Sequence, residues 1–106
     1  ALVTADELPY RNGRLSVTAR VEINGETITE TSTELQHFSF DEMRAAAARN
    51  TRLRAGDIIA SGTLDRGCLA ELGWPDELRW LQPGDEVAVT VEGLGTLTNH
   101  IVESEE

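Results

Sequence analysis

At 106 residues and 40% hydrophobic content, the chain fits a single domain, 1–106, with a modest core. Nineteen Asp and Glu against nine basic residues, all arginine, give a formal net charge of −10. Binding to nucleic acid or to an anionic membrane is therefore excluded, since both need a basic surface. The single cysteine cannot form an internal disulfide, no run approaches the ~18 apolar residues of a membrane span, and no basic-then-apolar leader opens the sequence; a cytoplasmic location is expected.

Residues 1–13 are irregular, with Pro9 and Asn12-Gly13 marking a turn. Residues 15–23 then alternate strictly, apolar at odd positions and polar at even ones, which is the pattern of a half-buried strand. Asn24-Gly25 follows. Both residues tolerate the positive φ of a type I′ turn, so a hairpin is expected, returning along residues 26–30. That return strand is rich in threonine, with Ile28 its only large apolar residue, and belongs at a sheet edge.

A helix is expected over residues 40–49. Ser39 and Glu42 have the spacing of a capping box, in which each side chain satisfies a backbone N–H of the partner residue. Phe38 and Met43 are placed for a hydrophobic staple, and Ala45, Ala46, Ala47 and Ala48 are strong helix formers that allow close packing on a sheet. Next, Arg54-Ala55-Gly56-Asp57 suits a type II turn, because its third residue needs positive φ. Ile58-Ile59-Ala60 reads as a short buried strand ended by Ser61-Gly62-Thr63. A strand that delivers a hydroxyl beside glycine is a plausible floor for a small ligand, and equally a strand that simply ends in a turn.

Gly73-Trp74-Pro75-Asp76 reads as a loop. Leu81-Gln82-Pro83-Gly84-Asp85 then repeats the pattern of Leu53-Arg54-Ala55-Gly56-Asp57, again leading into β-formers. Val87, Val89 and Val91 alternate along one face, Gly93-Leu94-Gly95 turns the chain, and residues 96–102 complete a hairpin. About six strands and one main helix describe a mostly β (α+β) domain.

The stretch Asn50-Thr51, Leu53, Gly56-Asp57, Ser61-Gly62-Thr63, Gly67-Cys68 and Glu71-Leu72 resembles the C-terminal part of the fumarylacetoacetate hydrolase family. Val3-Thr4-Ala5-Asp6-Glu7-Leu8 is similar to that family's Val-Thr-Pro-Asp-Glu-Leu, with Ala5 where proline is usual. Val21-Glu22-Ile23-Asn24-Gly25-Glu26, Phe38-Ser39-Phe40, Leu81-Gln82-Pro83-Gly84-Asp85 and Val91-Glu92-Gly93-Leu94-Gly95-Thr96-Leu97 extend the resemblance over residues 2–102. It implies a rolled, mixed β-sheet catalytic domain, of which this chain holds the later part.

In that family Asp and Glu side chains lying N-terminal to the matched part hold a divalent metal (Mg, Mn or Ca). A catalytic lysine lies just upstream of the Val-Thr-Pro-Asp-Glu-Leu stretch, and this chain has no lysine. The resemblance thus implies a chain inactive alone, within a homodimeric, metal-dependent hydrolase that cleaves a C–C bond in a small 2-oxo or 1,3-dicarbonyl acid, or within a related isomerase or lyase. The metal in such chemistry stabilises the enolate left by bond cleavage. The Ser61-Gly62-Thr63 and 67–72 segments look more like fumarylacetoacetate hydrolases than like acylpyruvate hydrolases.

Thr63, beside Gly62, matches the family threonine that contacts the carboxylate end of the substrate; the alternative is a strand-end threonine bonded to its own turn. Glu71 matches a glutamate that orients a water-activating histidine supplied from outside this chain, and is otherwise a surface carboxylate. His37 and His100 do not match that histidine, show no metal-ligand spacing, and are expected to be structural or exposed. Cys68 has no neighbouring base and is expected to be a small core residue. Glu103 and Glu105 lie in a solvated acidic run, while Trp74 and Trp80 are expected to pack in the core, or else to cover a pocket or interface. The competing reading of the whole is a stand-alone, non-catalytic β-rich binding module.

Overall fold

The computed structural model describes residues 2–72 and 80–104. Asn12 and Gly13 both adopt positive φ and link β1 (Tyr10–Arg11) to β2 (Arg14–Leu15) in a small hairpin. The alternating segment becomes β3 (Thr18–Ile23), and Asn24 (φ 52°) with Gly25 (φ 80°) returns it antiparallel as β4 (Glu26–Ser32). The type I′ turn is therefore formed as its sequence requires. A bulge opposite Val21/Glu22 leaves Ile28 outside the ladder and turns Thr29, Thr31 and Thr33 towards one side.

After α1 (Phe40–Ala47), β5 (Glu86–Val91) inserts beside β3, and β6 (Gly95–His100) pairs with β5. The sheet order is β4-β3-β5-β6, with every pairing antiparallel, so β4 lies at an edge as expected. Parallel pairings, which a mixed sheet would need, do not occur among the described residues. The Asn24 side chain clamps the hairpin to the start of β5: its Nδ2 donates to Asp85 Oδ1 (2.9 Å) and its Oδ1 accepts from Glu86 N (2.9 Å).

The register gives the sheet two unlike faces. Arg20, Thr90 and Thr96 share one, with Glu22, Ala88 and Thr98 beside them; Val21, Val89 and Leu97 share the other. The polar face is finished by pairs such as Glu86 with His100 (3.0 Å). The apolar face is covered at one end only, and among the described residues the buried apolar side chains are Val17, Ala19 and Leu72. Accessible surface totals 8312 Å², where a closed globule of this mass exposes about 5,800 Å².

Three expectations are corrected. The helix ends at Ala47, two residues early, and buries none of its residues; Ala45, Ala46 and Ala48 face solvent, not a sheet. Ile58-Ile59-Ala60 is no buried strand: it joins no sheet, and Ile58 is 94% exposed. Trp80 is exposed and so not in the core, while Trp74, the 73–76 loop and Glu105 lie outside the described residues. No helix among the described residues is long and apolar enough to cross a membrane.

Candidate functional site

Two chain segments far apart in sequence meet over the covered end of the apolar face. The first runs from the 3-10 turn Thr33–Leu35 to the start of α1. It is held at both ends: Arg14 donates to the carbonyls of Gln36 (2.8 Å) and His37 (3.1 Å), and the capping box fixes Ser39. In that box Ser39 N donates to Glu42 Oε2 (2.7 Å) and Glu42 N donates to Ser39 Oγ (3.2 Å). The Ser39 backbone N–H, then its hydroxyl, hold the Glu42 carboxyl below the usual carboxylate range. His37 and Phe38, between these anchors, stack edge to face with centroids 4.5 Å apart.

The second segment is 61–67. Gly62 takes φ 73°, which a side chain would strain even though the space beside it is open. Gly67 is fixed by crowding instead. Its N–H donates to Leu64 O (2.8 Å), and a Cβ there would come within 2.8 Å of that same oxygen. The Ser61 hydroxyl is spent on the Gly62 carbonyl (3.0 Å). Thr63 is exposed, and its hydroxyl bonds to none of the described residues.

Ser61 and Thr63 form the wall between two concavities. One, of about 320 Å³, is lined by Leu15, Val17, Val21, Leu64, Val89 and other apolar side chains together with the inward threonines of β4. Thr31 Oγ1 is buried in this lining without a partner. The other, of about 220 Å³, is mixed: Leu35, Phe38 and Met43 are apolar, and Gln36, His37, Ser61, Thr63 and Asp65 are polar. A few polar groups converging on an apolar lining is the usual composition of a small-molecule site.

Glu71 ends the 3-10 turn Leu69–Glu71, is exposed, and lines neither concavity, so the chain as it stands does not bring it to Thr63. Cys68 is half-buried at the start of that turn. His37 is exposed as expected, and it lies beside Thr63 in the mixed concavity; His100 is exposed on the far face of β6. Among the described residues no group of three or more His, Cys, Asp or Glu is arranged to hold a metal ion. The described residues of this chain do not fit a divalent metal. Leu35, His37, Phe38, Met43 and Asp65 are the site neighbours that sequence reading did not assemble. The available signal was an exposed aromatic pair in a loop tied down immediately before a capped helix.

Comparison with known proteins supplies the context for this geometry. The family described as fumarylacetoacetate (FAA) hydrolase C-terminal matches residues 1–102. Uncharacterized proteins of Staphylococcus aureus strains USA300 and NCTC 8325 are each 38% identical over 100 residues, covering 94% of this chain and 31% of theirs. Among solved structures, a putative HpcE protein from Mycobacterium smegmatis superposes with TM-score 0.75 at 31% identity, over 96% of this chain and 35% of that one. A 5-carboxymethyl-2-hydroxymuconate delta-isomerase from the same organism superposes with TM-score 0.64 at 30% identity, over 86% and 32%. The chain thus spans about a third of the length of the curated relatives it matches.

Proposed function

The chain belongs to the fumarylacetoacetate hydrolase family, and from that premise we infer that it is the C-terminal portion of a larger catalytic unit acting on a small 2-oxo or 1,3-dicarbonyl acid. Hydrolytic C–C cleavage is the reaction favoured by the resemblance of the 61–72 segment, with isomerisation the variant found in a structural neighbour. The observation that carries the reading is Thr63. It offers an unbonded, exposed hydroxyl next to a glycine of positive φ, in the wall of a mixed concavity, at the position where the family contacts the substrate carboxylate.

The division of labour follows from what this chain lacks. Thr63 donates a hydrogen bond to the substrate's anionic end. Glu71, exposed on its turn, orients a histidine brought by the remainder of the protein, which fixes the tautomer and favours the charged imidazole. The divalent metal implied by family membership is held outside this chain, in an intact enzyme that works as a homodimer. An independent binding module is a poorer account, because a chain exposing about 2,500 Å² more than a closed globule has left an interface-sized area uncovered.

Thr63→Val tests the reading in the full-length enzyme, since it removes the hydroxyl and keeps the β-branched shape. Losing a hydrogen bond to a charged group should lower kcat/KM about ten- to a hundredfold. Thr98→Val, on the polar face of β6, should leave it unchanged. Wild-type kcat/KM in Thr63→Val would remove the residue from the site.

A further inference from the structure

We propose that the mixed concavity beside Thr63 receives the end of the substrate opposite its carboxylate, and selects an uncharged alkyl or aryl tail over a carboxylated one. This rests on the Thr63 reading for the position of the other end. The two concavities that Thr63 separates are chemically different. The larger, with its Val and Leu lining, has the character of half a protein core. The smaller mixes apolar side chains with the Thr63 hydroxyl, an amide, an imidazole and a carboxylate, a composition closer to a small-molecule site than to a core.

Its apolar part is formed by Leu35 (65% exposed), Phe38 (56% exposed) and the half-buried Met43. They are not on a loose loop. Arg14 and the capping box pin the backbone on either side of His37 and Phe38, and the His37 ring braces the Phe38 ring edge to face. An aromatic ring held open beside an unbonded hydroxyl is pre-organised to pack against a flat apolar group, without the cost of ordering a side chain on binding.

The charge around the pocket sets the preference. No lysine or arginine is among its described lining residues, while Asp65 is. Glu42, a carboxylate, lies close enough to His37 to interact with it electrostatically. Arg14, whose guanidinium reaches the Gln36 and His37 carbonyls, is already committed to those two carbonyls and to Glu42 (3.6 Å). A carboxylate on the substrate tail would meet the like charge of Asp65 with no arginine or lysine among the described lining residues, and the His37 imidazole there is already engaged by Glu42. Phenyl or alkyl tails meet Phe38, Leu35 and Met43.

The test compares two 2,4-dioxo acids in the full-length enzyme, one carrying a phenyl group at C4 and one a carboxyethyl group. The expected kcat/KM ratio favours phenyl by about tenfold or more. Phe38→Ala should lower kcat/KM for the phenyl substrate about tenfold, mainly through KM, and change the carboxyethyl substrate less than twofold. Asp65→Asn should improve the carboxyethyl substrate alone. Thr63→Val lowers both, so a null result there fails the Thr63 reading while the Phe38 result still decides the pocket. If Phe38→Ala affects both substrates equally or neither, the proposal is overturned. Should Phe38→Ala not fold, Phe38→Leu replaces it, with the methyl resonance of Met43, assigned by Met43→Leu, as second readout. That resonance should shift on saturation with the phenyl acid and not with the carboxyethyl acid; no shift with the phenyl acid overturns the proposal.

Discussion

Two turns in this molecule are nearly the same object. In each a glycine takes φ near 95° (Gly56 98°, Gly84 94°), and the Asp after it donates its N–H back to the residue three before (3.1 and 3.0 Å). In each the Asp carboxylate accepts that earlier residue's N–H at 2.8 Å. Each leads into β-branched apolar residues. Yet Asp85 is 5% exposed and opens β5 in the middle of the sheet, whereas Asp57 is exposed and Ile58 points into water. Local chemistry makes the turn; only a neighbouring strand makes the segment after it a strand. β5 has β3 and β6 on its flanks, whereas the 58–60 segment pairs with no strand among the described residues.

Substituting the two aspartates measures this difference. Asp85→Ala removes acceptors for Asn24 Nδ2 and Gln82 N in a buried setting and should cost about 3 kcal/mol, read as a fall in denaturation midpoint of the full-length protein. The proposed larger unit would cover the Asp57 turn, so in the full-length protein Asp57→Ala should cost more than about 1 kcal/mol. An Asp57→Ala midpoint indistinguishable from wild type would mean the turn stays open to water there too.

Ile58→Ser addresses the segment itself. Covered in the full-length protein, Ile58 should contribute about 2 kcal/mol by burial, and the substitution should lower stability by that amount. In the separated chain the same substitution should weaken self-association, which exposed apolar surface and unpaired edges promote despite the net charge of −10. Chemical denaturation of the full-length protein reads the first outcome, and sedimentation of the separated chain over a concentration series reads the second.

Signals carried within four or five residues were legible in the sequence. Asn24-Gly25, the Ser39/Glu42 box, the two Gly-Asp turns and the β5–β6 hairpin all needed only local φ preferences and short hydrogen bonds. What was illegible depends on partners distant in sequence or outside it. The exposed alanines of α1 and the exposed Ile58 look like core residues by type, and nothing in their neighbourhood in the sequence announces their exposure. Inward-facing Thr29, Thr31 and Thr33 follow from a bulge at Ile28 that alternation does not announce. Likewise, Phe38 and His37 join Thr63 across about 25 residues of chain, a pairing no periodicity encodes.

The smallest effect concerns the pocket's fixed wall. Ser39→Ala should cost about 1 kcal/mol through loss of the helix cap. The Glu42 carboxyl in that box is depressed below its ordinary value of 4.5, so its contribution is complete above that value and is lost as pH falls through the lower folded-state value. The wild-type advantage over Ser39→Ala, measured by thermal melts from neutral pH downward, should therefore hold to about pH 5 and shrink below it.

The claim that the 58–63 segment becomes an ordered part of a larger catalytic unit is tested most directly by amide hydrogen exchange. Exchange at Ile58, Ile59 and Ala60 should be fast in the separated chain and slowed by orders of magnitude in the full-length protein, with Thr63 slowed further when a 2-oxo acid is bound. Equally fast exchange in both forms, with no response to the acid, would contradict it.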